Sequence, residues 1–182
     1  MKVYNSDLEG VLIIEPTIHT DSRGAFFEAF SARDFEEQAG LKVEFVQENE
    51  SFSKRGVLRG LHFQREPWAQ AKLVRVIEGK VIDVAVDIRP DSRTFGKHIA
   101  IELSRENHRQ LYIPKGFAHG FIALEDSIFQ YKCDEYYHPE SEGCIIWNDP
   151  HLAIDWGVKE DEIILSDKDK RGALLREIIT TK

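Results

Sequence analysis

Five stretches of this chain carry polar residues that a plain β-sandwich does not require. They are Asp21-Ser22-Arg23-Gly24-Ala25-Phe26-Phe27-Glu28, Gln47-Glu48-Asn49-Glu50-Ser51, Gly56 through Gln64 with Lys72 beyond it, Pro114-Lys115-Gly116-Phe117-Ala118-His119-Gly120-Phe121, and Tyr131 through Tyr137 followed by Glu142 and later Asp167-Lys168-Asp169. His62 is the residue among them best suited to moving a proton. A neutral imidazole with a pKa of about 6.5 accepts a proton at physiological pH, and a carboxylate on its other nitrogen would fix its tautomer and raise its basicity. Tyr131 is a phenol, which keeps its proton until about pH 10 and is a competent donor at neutral pH. Arginines such as Arg23 and Arg59 present a planar fork that donates two bonds at once to a phosphate.

Each residue also has a plainer use. On a strand, residues two apart share a face. If Leu58 to Gln64 is extended, Leu58, Gly60, His62 and Gln64 lie on one side, and Arg59, Leu61 and Phe63 on the other. His62 then points inward or into a cleft, where a lone histidine is more often a structural residue than a reactive one. Tyr131 shares a face with Phe129 and Cys133, the setting of an ordinary core tyrosine. Lys72, between Ala71 and Leu73, reads equally as a surface lysine.

The elements that must hold these residues are mostly short strands. Val74–Glu78 and Val81–Asp87 are β-branched-rich runs separated by a turn at Gly79,. His98–Leu103, Gln110–Ile113, Phe117–Leu124, Ile128–Cys133 and Cys144–Trp147 continue the series. Only two helices are expected. One lies between a capping Ser31 and a terminating Gly40, and the other is in the tail around Gly172 to Ile179. Many short strands with turn punctuation predict an all-β fold, a double-sheet antiparallel jelly roll with a few short peripheral helices.

Bulk properties narrow the classes further. The 182 residues predict one domain spanning residues 1–182, and the 42% hydrophobic and 31% charged fractions fit a soluble globular protein,. No apolar run approaches the roughly 20 residues that cross a bilayer, and the first residues lack a signal-peptide core, so no membrane association and a cytoplasmic location are expected. Cys133 and Cys144 lack C-x-x-C spacing and read as free thiols. A net charge of −8 argues against nucleic acid as a partner,. It does not argue against a small phosphorylated ligand, which needs only a local cluster of cations.

The spacing of Gly56, His62, Gly79 and Pro114-x-Gly116-x-x-His119 resembles the paired motifs of the cupin jelly rolls. Metal-binding cupins carry His-x-His, a downstream Glu and a final His. Here Gln64 stands for the second histidine, and Pro67-Trp68-Ala69-Gln70-Ala71 occupies the place of the glutamate. Two imidazoles rarely hold a divalent ion, so no metal and no cofactor are expected. The finer resemblance is to the metal-free dTDP-4-dehydrorhamnose 3,5-epimerases. It extends from D-x-R-G-x-F at Asp21 to S-D-K-D at Ser166 and is carried chiefly by G-V-L-R-G-L-H-F-Q, Y-K-C-D-E-Y-Y and E-G-C-I-I-W-N-D-P.

That resemblance implies a reaction and a division of labour. Epimerisation beside a carbonyl needs a base for the alpha proton, a group that stabilises the enolate oxygen, and an acid on the opposite face. It implies His62 as base, Asp169 as its orienting partner, Tyr131 as acid and Lys72 as enolate stabiliser. Asp83 is a second candidate partner for His62, because an unpaired carboxylate in an apolar strand is costly. The substrate implied is a dTDP-linked 4-keto-6-deoxy sugar. Arg23, Arg59, His119 and Lys168 would lie about its diphosphate and sugar, Glu28, Gln47 and Asn49 about its nucleotide, Tyr137 against its base, and Glu142 would be a further contact. Family members are dimers whose N-terminal segments can enter the partner's site, so a homodimer is implied. Three rivals remain: a metal-dependent cupin, a non-catalytic sugar-binding jelly roll, and a mono-epimerase acting at carbon 3 or carbon 5 alone.

Overall fold

The computed structural model describes residues 1–179, and among these described residues two antiparallel sheets face one another. The first has the order β1 (Lys2–Asn5), β2 (Leu12–Glu15), β10 (Gln110–Ile113), β7 (Lys72–Glu78), β12 (Ser127–Cys133) and β5 (Gln47–Ser53). The second has the order β13 (Glu142–Cys144), β6 (Leu58–Gln64), β11 (Phe117–Ala123), β8 (Lys80–Asp87) and β9 (His98–Ser104). A separate hairpin, β3 (His19–Asp21) with β4 (Gly24–Phe26), stands apart from both sheets. This is the double-sheet jelly roll expected from the strand spacing, of the cupin-like kind that the motif resemblance implies.

Three apolar clusters hold the layers together. Val74, Val76, Leu111 and Phe129 of the first sheet pack against Val81, Ala85 and Phe121 of the second, filling the space between the sheets. The outer face of the second sheet, with Leu58, Leu61, Val84, Val86 and Ile122, is covered by Leu152, Trp156 and Leu175 of the C-terminal segment. Leu12, Ile14 and Leu73 on the outer face of the first sheet meet Phe35 of α1 (Ala32–Ala39). A strand buried on both faces needs apolar residues at every position. That is why β8 reads as an almost unbroken run in which Asp83 and Asp87 stand out.

α1 forms where its caps place it. The Ser31 side chain accepts a bond from the Asp34 amide at 3.3 Å, and Gly40 closes the helix with φ 67°,. The tail helix is shorter than expected, α2 (Leu175–Ile179). Cys144–Trp147 needs a correction as well. The strand there is Glu142–Cys144, and beyond it Ile145 exchanges two backbone bonds with Leu61 and forms a bridge to Ala173, with its side chain in the outer core. Cys133 and Cys144 are both free. Among the described residues no helix is long and apolar enough to cross a membrane.

Asp87 anchors the corner where β8 meets the start of β11, in register with Phe117. Its buried carboxylate accepts from Arg89 Nη2 at 2.7 Å and Thr94 Oγ1 at 2.6 Å, and from Ser92 Oγ. Burial works to raise this carboxyl, but the bonds from Arg89, Ser92 and Thr94 outweigh it and hold the group down at about 2,. A pKa depressed in the folded state contributes stability that is present above the unfolded value and lost as pH falls through the folded one. From an unfolded value of about 3.9, the contribution is on the order of 2 to 3 kcal/mol near neutrality, lost between about pH 4 and pH 2. Asp87→Asn should therefore be less stable than the parent at neutral pH, with the gap shrinking across that window. Urea unfolding at stepped pH checks this, and a gap that stays constant into strong acid would count against it.

Candidate active site

The cavity lies between the two sheets at the end where β6 and β13 meet the C-terminal segment. It has a volume of about 330 Å³ and is lined by Glu50, Ser51, Arg59, His62, Lys72, His119, Gly120, Phe121, Phe129, Tyr131, Ser166, Lys168 and Asp169. His62, Arg59 and His119 come from the second sheet, and Lys72 and Tyr131 from the first. Histidine and phenol thus approach the same space from opposite walls.

The wall bearing His62 depends on an irregularity. His119 pairs with His62 but Phe121 pairs with Arg59, so β6 spends one residue more than β11 over this interval. This β-bulge changes the phase of side-chain alternation. Leu61 and Phe63 point to the outer core, as simple alternation gives, but Leu58 joins them there, while Arg59 turns into the cavity beside His62. The assignment of Leu58 to the face of His62, and of Arg59 to the opposite face, is therefore corrected. At the bulge, Gly60 has φ +126°, and a Cβ there would lie 2.5 Å from Gly120 Cα and 2.8 Å from the His119 carbonyl oxygen. Only a glycine fits this approach.

His62 Nε2 lies 2.6 Å from Asp169 Oδ1. Asp169 is only 3% exposed, and its other oxygen accepts from Ser166 Oγ at 2.7 Å. Burial alone would raise the Asp169 carboxyl, but the bonds to His62 and Ser166 hold it below the usual carboxylate range,. An ionised Asp169 accepts from Nε2–H and leaves the Nδ1 lone pair of His62 as the basic site. Ser166 escaped attention in the sequence, although S-x-x-D is the spacing of a side chain that caps a turn; here it caps the turn that presents Asp169,.

Asp83 pairs with the other histidine. Its Oδ1 lies 2.8 Å from His119 Nε2, which overturns Asp83 as a partner of His62. The register explains this, because Asp83 sits opposite Phe121 on the strand adjoining His119. Burial pushes the His119 imidazole below its ordinary value, against the pull of Asp83. Lys72 is also pushed down by burial, opposed by Cys133, Asp83 and Glu142. Its amine lies 5.8 Å from the Tyr131 ring centre. Burial, with Cys133 beside it, pushes the Tyr131 phenol up, so it is protonated at neutral pH,.

From this cavity a polar chain leads outward. Lys168 pairs with Glu142, Glu142 accepts from the Tyr137 hydroxyl at 2.9 Å, the Tyr137 amide donates to Gln47 Oε1 at 3.0 Å, and Gln47 Nε2 donates to Asn49 Oδ1 at 3.0 Å. Asn49 is opposite Tyr131 in the β5–β12 register, which puts Gln47, Asn49 and Ser51 on the cavity face. The Glu142 carboxyl, despite burial, is held low by Lys168 and Tyr137. Arg59 is braced by Ser53 Oγ and the Phe52 carbonyl, both at 3.0 Å. Arg23 and Glu28 are not brought to this cavity within the chain. Arg23 sits on the exposed β3–β4 hairpin and pairs with Asp21, while Glu28 lines a separate space of about 430 Å³ beside Ile14, Phe30 and Gln110.

Fold and site together define a cupin-type jelly roll with a cavity furnished for acid–base chemistry on a polar ligand. The chain belongs to the dTDP-4-dehydrorhamnose 3,5-epimerase family, whose model matches residues 5–177. The dTDP-4-dehydrorhamnose 3,5-epimerase of Escherichia coli K12 is 53% identical, over 100% of this chain and 98% of that one. A dTDP-6-deoxy-D-glucose-3,5-epimerase from Legionella pneumophila, solved with dTDP-4-keto-L-rhamnose, is 51% identical with a TM-score of 0.93, covering 97% of this chain and 94% of that one. At greater distance, ChmJ of Streptomyces bikiniensis, a 3'-monoepimerase solved with dTDP-quinovose, shares 34% identity and a TM-score of 0.87 over 94% and 86%.

Proposed function

We propose that the protein is an isomerase that inverts carbons 3 and 5 of dTDP-4-dehydro-6-deoxy-D-glucose to give dTDP-4-dehydro-L-rhamnose, acting in the cytoplasm in dTDP-L-rhamnose biosynthesis. The observation that carries this reading is the placement of the His62–Asp169 pair and Tyr131 on opposing sheets around one cavity, with Lys72 beside Tyr131. A ketone at carbon 4 acidifies the C–H bonds at both neighbours, so one such site serves two centres. His62 takes the proton, the C–H electron pair moves into the enolate, and the Lys72 ammonium stabilises the negative oxygen. Tyr131 then delivers a proton to the opposite face of the carbon. Its phenolate and the His62 imidazolium exchange protons with water before the second centre reacts. Asp169 keeps His62 in the tautomer that can act. Base, cation and acid supply every step, so the route calls for no metal or cofactor.

The remaining residues form the handle for dTDP. Arg59, His119 and Lys168 are the groups for the diphosphate and sugar, Gln47 and Asn49 for the nucleotide, with Glu142 holding Lys168 and Tyr137 in place and Tyr137, half exposed, free to stack on the base,. Arg23 and Glu28 fit this handle through a homodimer, where the β3–β4 hairpin of one chain reaches the cavity of its partner.

Heavy water tests the reading. Incubation with the 4-keto sugar nucleotide should place deuterium at carbons 3 and 5 with both centres inverted. Deuterium at one carbon reduces the activity to a mono-epimerase, and deuterium at neither refutes catalysis. Tyr131→Phe keeps proton removal but loses the donor, so deuterium wash-in should outlast inversion by about a hundredfold. Equal loss of both would remove Tyr131 from the role of acid.

A further inference from the structure

Cys144 has no part in that scheme, yet it stands directly opposite His62 in the β13–β6 register. A ring nitrogen of His62, Sγ of Cys144 and a carboxylate oxygen of Asp169 all lie within 4.8 Å of one another. From these positions we infer that the catalytic pair doubles as an inhibitory site for a thiophilic divalent cation such as zinc, held by His62, Cys144 and Asp169. The site differs from the cupin metal position, which would use His62, Gln64 and His119. Its effect on turnover rests on the epimerase reading, whereas the binding itself does not.

The donor set fits such an ion. Zinc takes sulfur, nitrogen and oxygen at about 2.0–2.3 Å in a tetrahedron, which puts its ligand atoms roughly 3 to 4 Å apart. The three atoms, all within 4.8 Å of one another, already lie close to that spacing, and the fourth position would fall to water. A thiolate with an imidazole selects zinc, cadmium or cobalt over magnesium or calcium. Ser166 and the strand register of β13 already hold Asp169 and Cys144 in place,.

Binding would release the thiol proton to water, and the sulfur electron pair would pass to the cation. The proton on His62 Nε2 shifts to Nδ1 as Nε2 takes the metal, with no change of oxidation state. The lone pair that accepts the substrate proton is then occupied, and Asp169 no longer orients the ring. Zinc should therefore stop turnover.

The test is titration of the purified protein with cobalt(II), reading the sulfur-to-metal absorption in the near ultraviolet, and with zinc against a chromophoric chelator. About one ion per chain is expected, with activity falling as the site fills and returning on chelation. Cys144→Ser should keep its metal-free activity, lose the absorption band and bind zinc at least about tenfold more weakly. A band or zinc affinity unchanged in Cys144→Ser overturns the site. Cadmium NMR of the unaltered protein reads the ligand set without any substitution, and a resonance lacking a sulfur ligand overturns it as well. These binding signals need no substrate, so a failed metal site and a failed epimerase reading are told apart.

Discussion

Replacing His62 by asparagine is expected to lower turnover about a thousandfold while leaving the protein folded and able to bind dTDP. A positioned general base contributes about 10²–10⁴ in rate, and an amide has no basic lone pair to replace it. The loss corresponds to about 4 kcal/mol of transition-state stabilisation. The fold should tolerate the change, because the His62 side chain is 28% exposed to the cavity and packs in none of the three apolar clusters. Arg59, Lys168 and the Tyr137–Glu142 contact, the groups proposed for the nucleotide, are untouched by the change. Steady-state turnover and deuterium wash-in should fall together, with the dTDP dissociation constant little altered. Turnover above about a tenth of the parent rate would assign the base to another residue.

The largest stability effect is expected at Gly60. An alanine there must adopt φ +126°, and its Cβ would meet backbone atoms of Gly120 and His119 at 2.5 and 2.8 Å. The neighbouring backbone cannot move aside as a flexible side chain would, since β11 is held on its far edge by β8 along its whole length. Strain at a conformation reserved for glycine adds to the overlap. Gly60→Ala should cost about 3 kcal/mol or more, and whatever folds should have reduced activity because His62 and Arg59 lose their shared wall. Chemical unfolding followed by aromatic fluorescence measures the first effect and turnover the second. A midpoint within experimental scatter of the parent would refute the argument.

Much of the framework could be read from residue order, and the failures share a cause. β8 and β11 are apolar enough to declare themselves, and Ser31 and Gly40 mark both ends of α1. β5 does not announce itself, because its half-buried positions are the polar Gln47, Asn49 and Ser51, alternating with the exposed Glu48, Glu50 and Phe52. A strand that lines a binding site thus loses the hydrophobic alternation by which strands are recognised. The bulge in β6 is invisible for a different reason. It is set by pairing with β11, 57 positions from His62 to His119 (119 − 62), and local alternation carries no trace of it. Asp169 reads as one charge in a solvated run, and only the folded chain, by burying it and bonding it to His62 and Ser166, sets it apart from Asp167. Asp83 was conspicuous as a buried carboxylate, but which histidine it serves is decided by strand neighbours. Arg23 and Glu28 sit on parts of the chain that a single copy keeps away from the cavity.

The extra residue in β6 also sets how this site can change over time. The bulge takes up that residue locally, so that His62 stays beside His119 and Arg59 beside Phe121, on the faces a regular strand one residue shorter would give them. The strand can therefore carry a surplus residue without turning Arg59 away from His62, provided the position that takes up the slack is a glycine. A residue gained or lost elsewhere in β6 meets no such position and would turn every side chain on one side of it to the opposite face. Tolerance of length is thus concentrated at a single point of the wall that holds the arginine and the histidine.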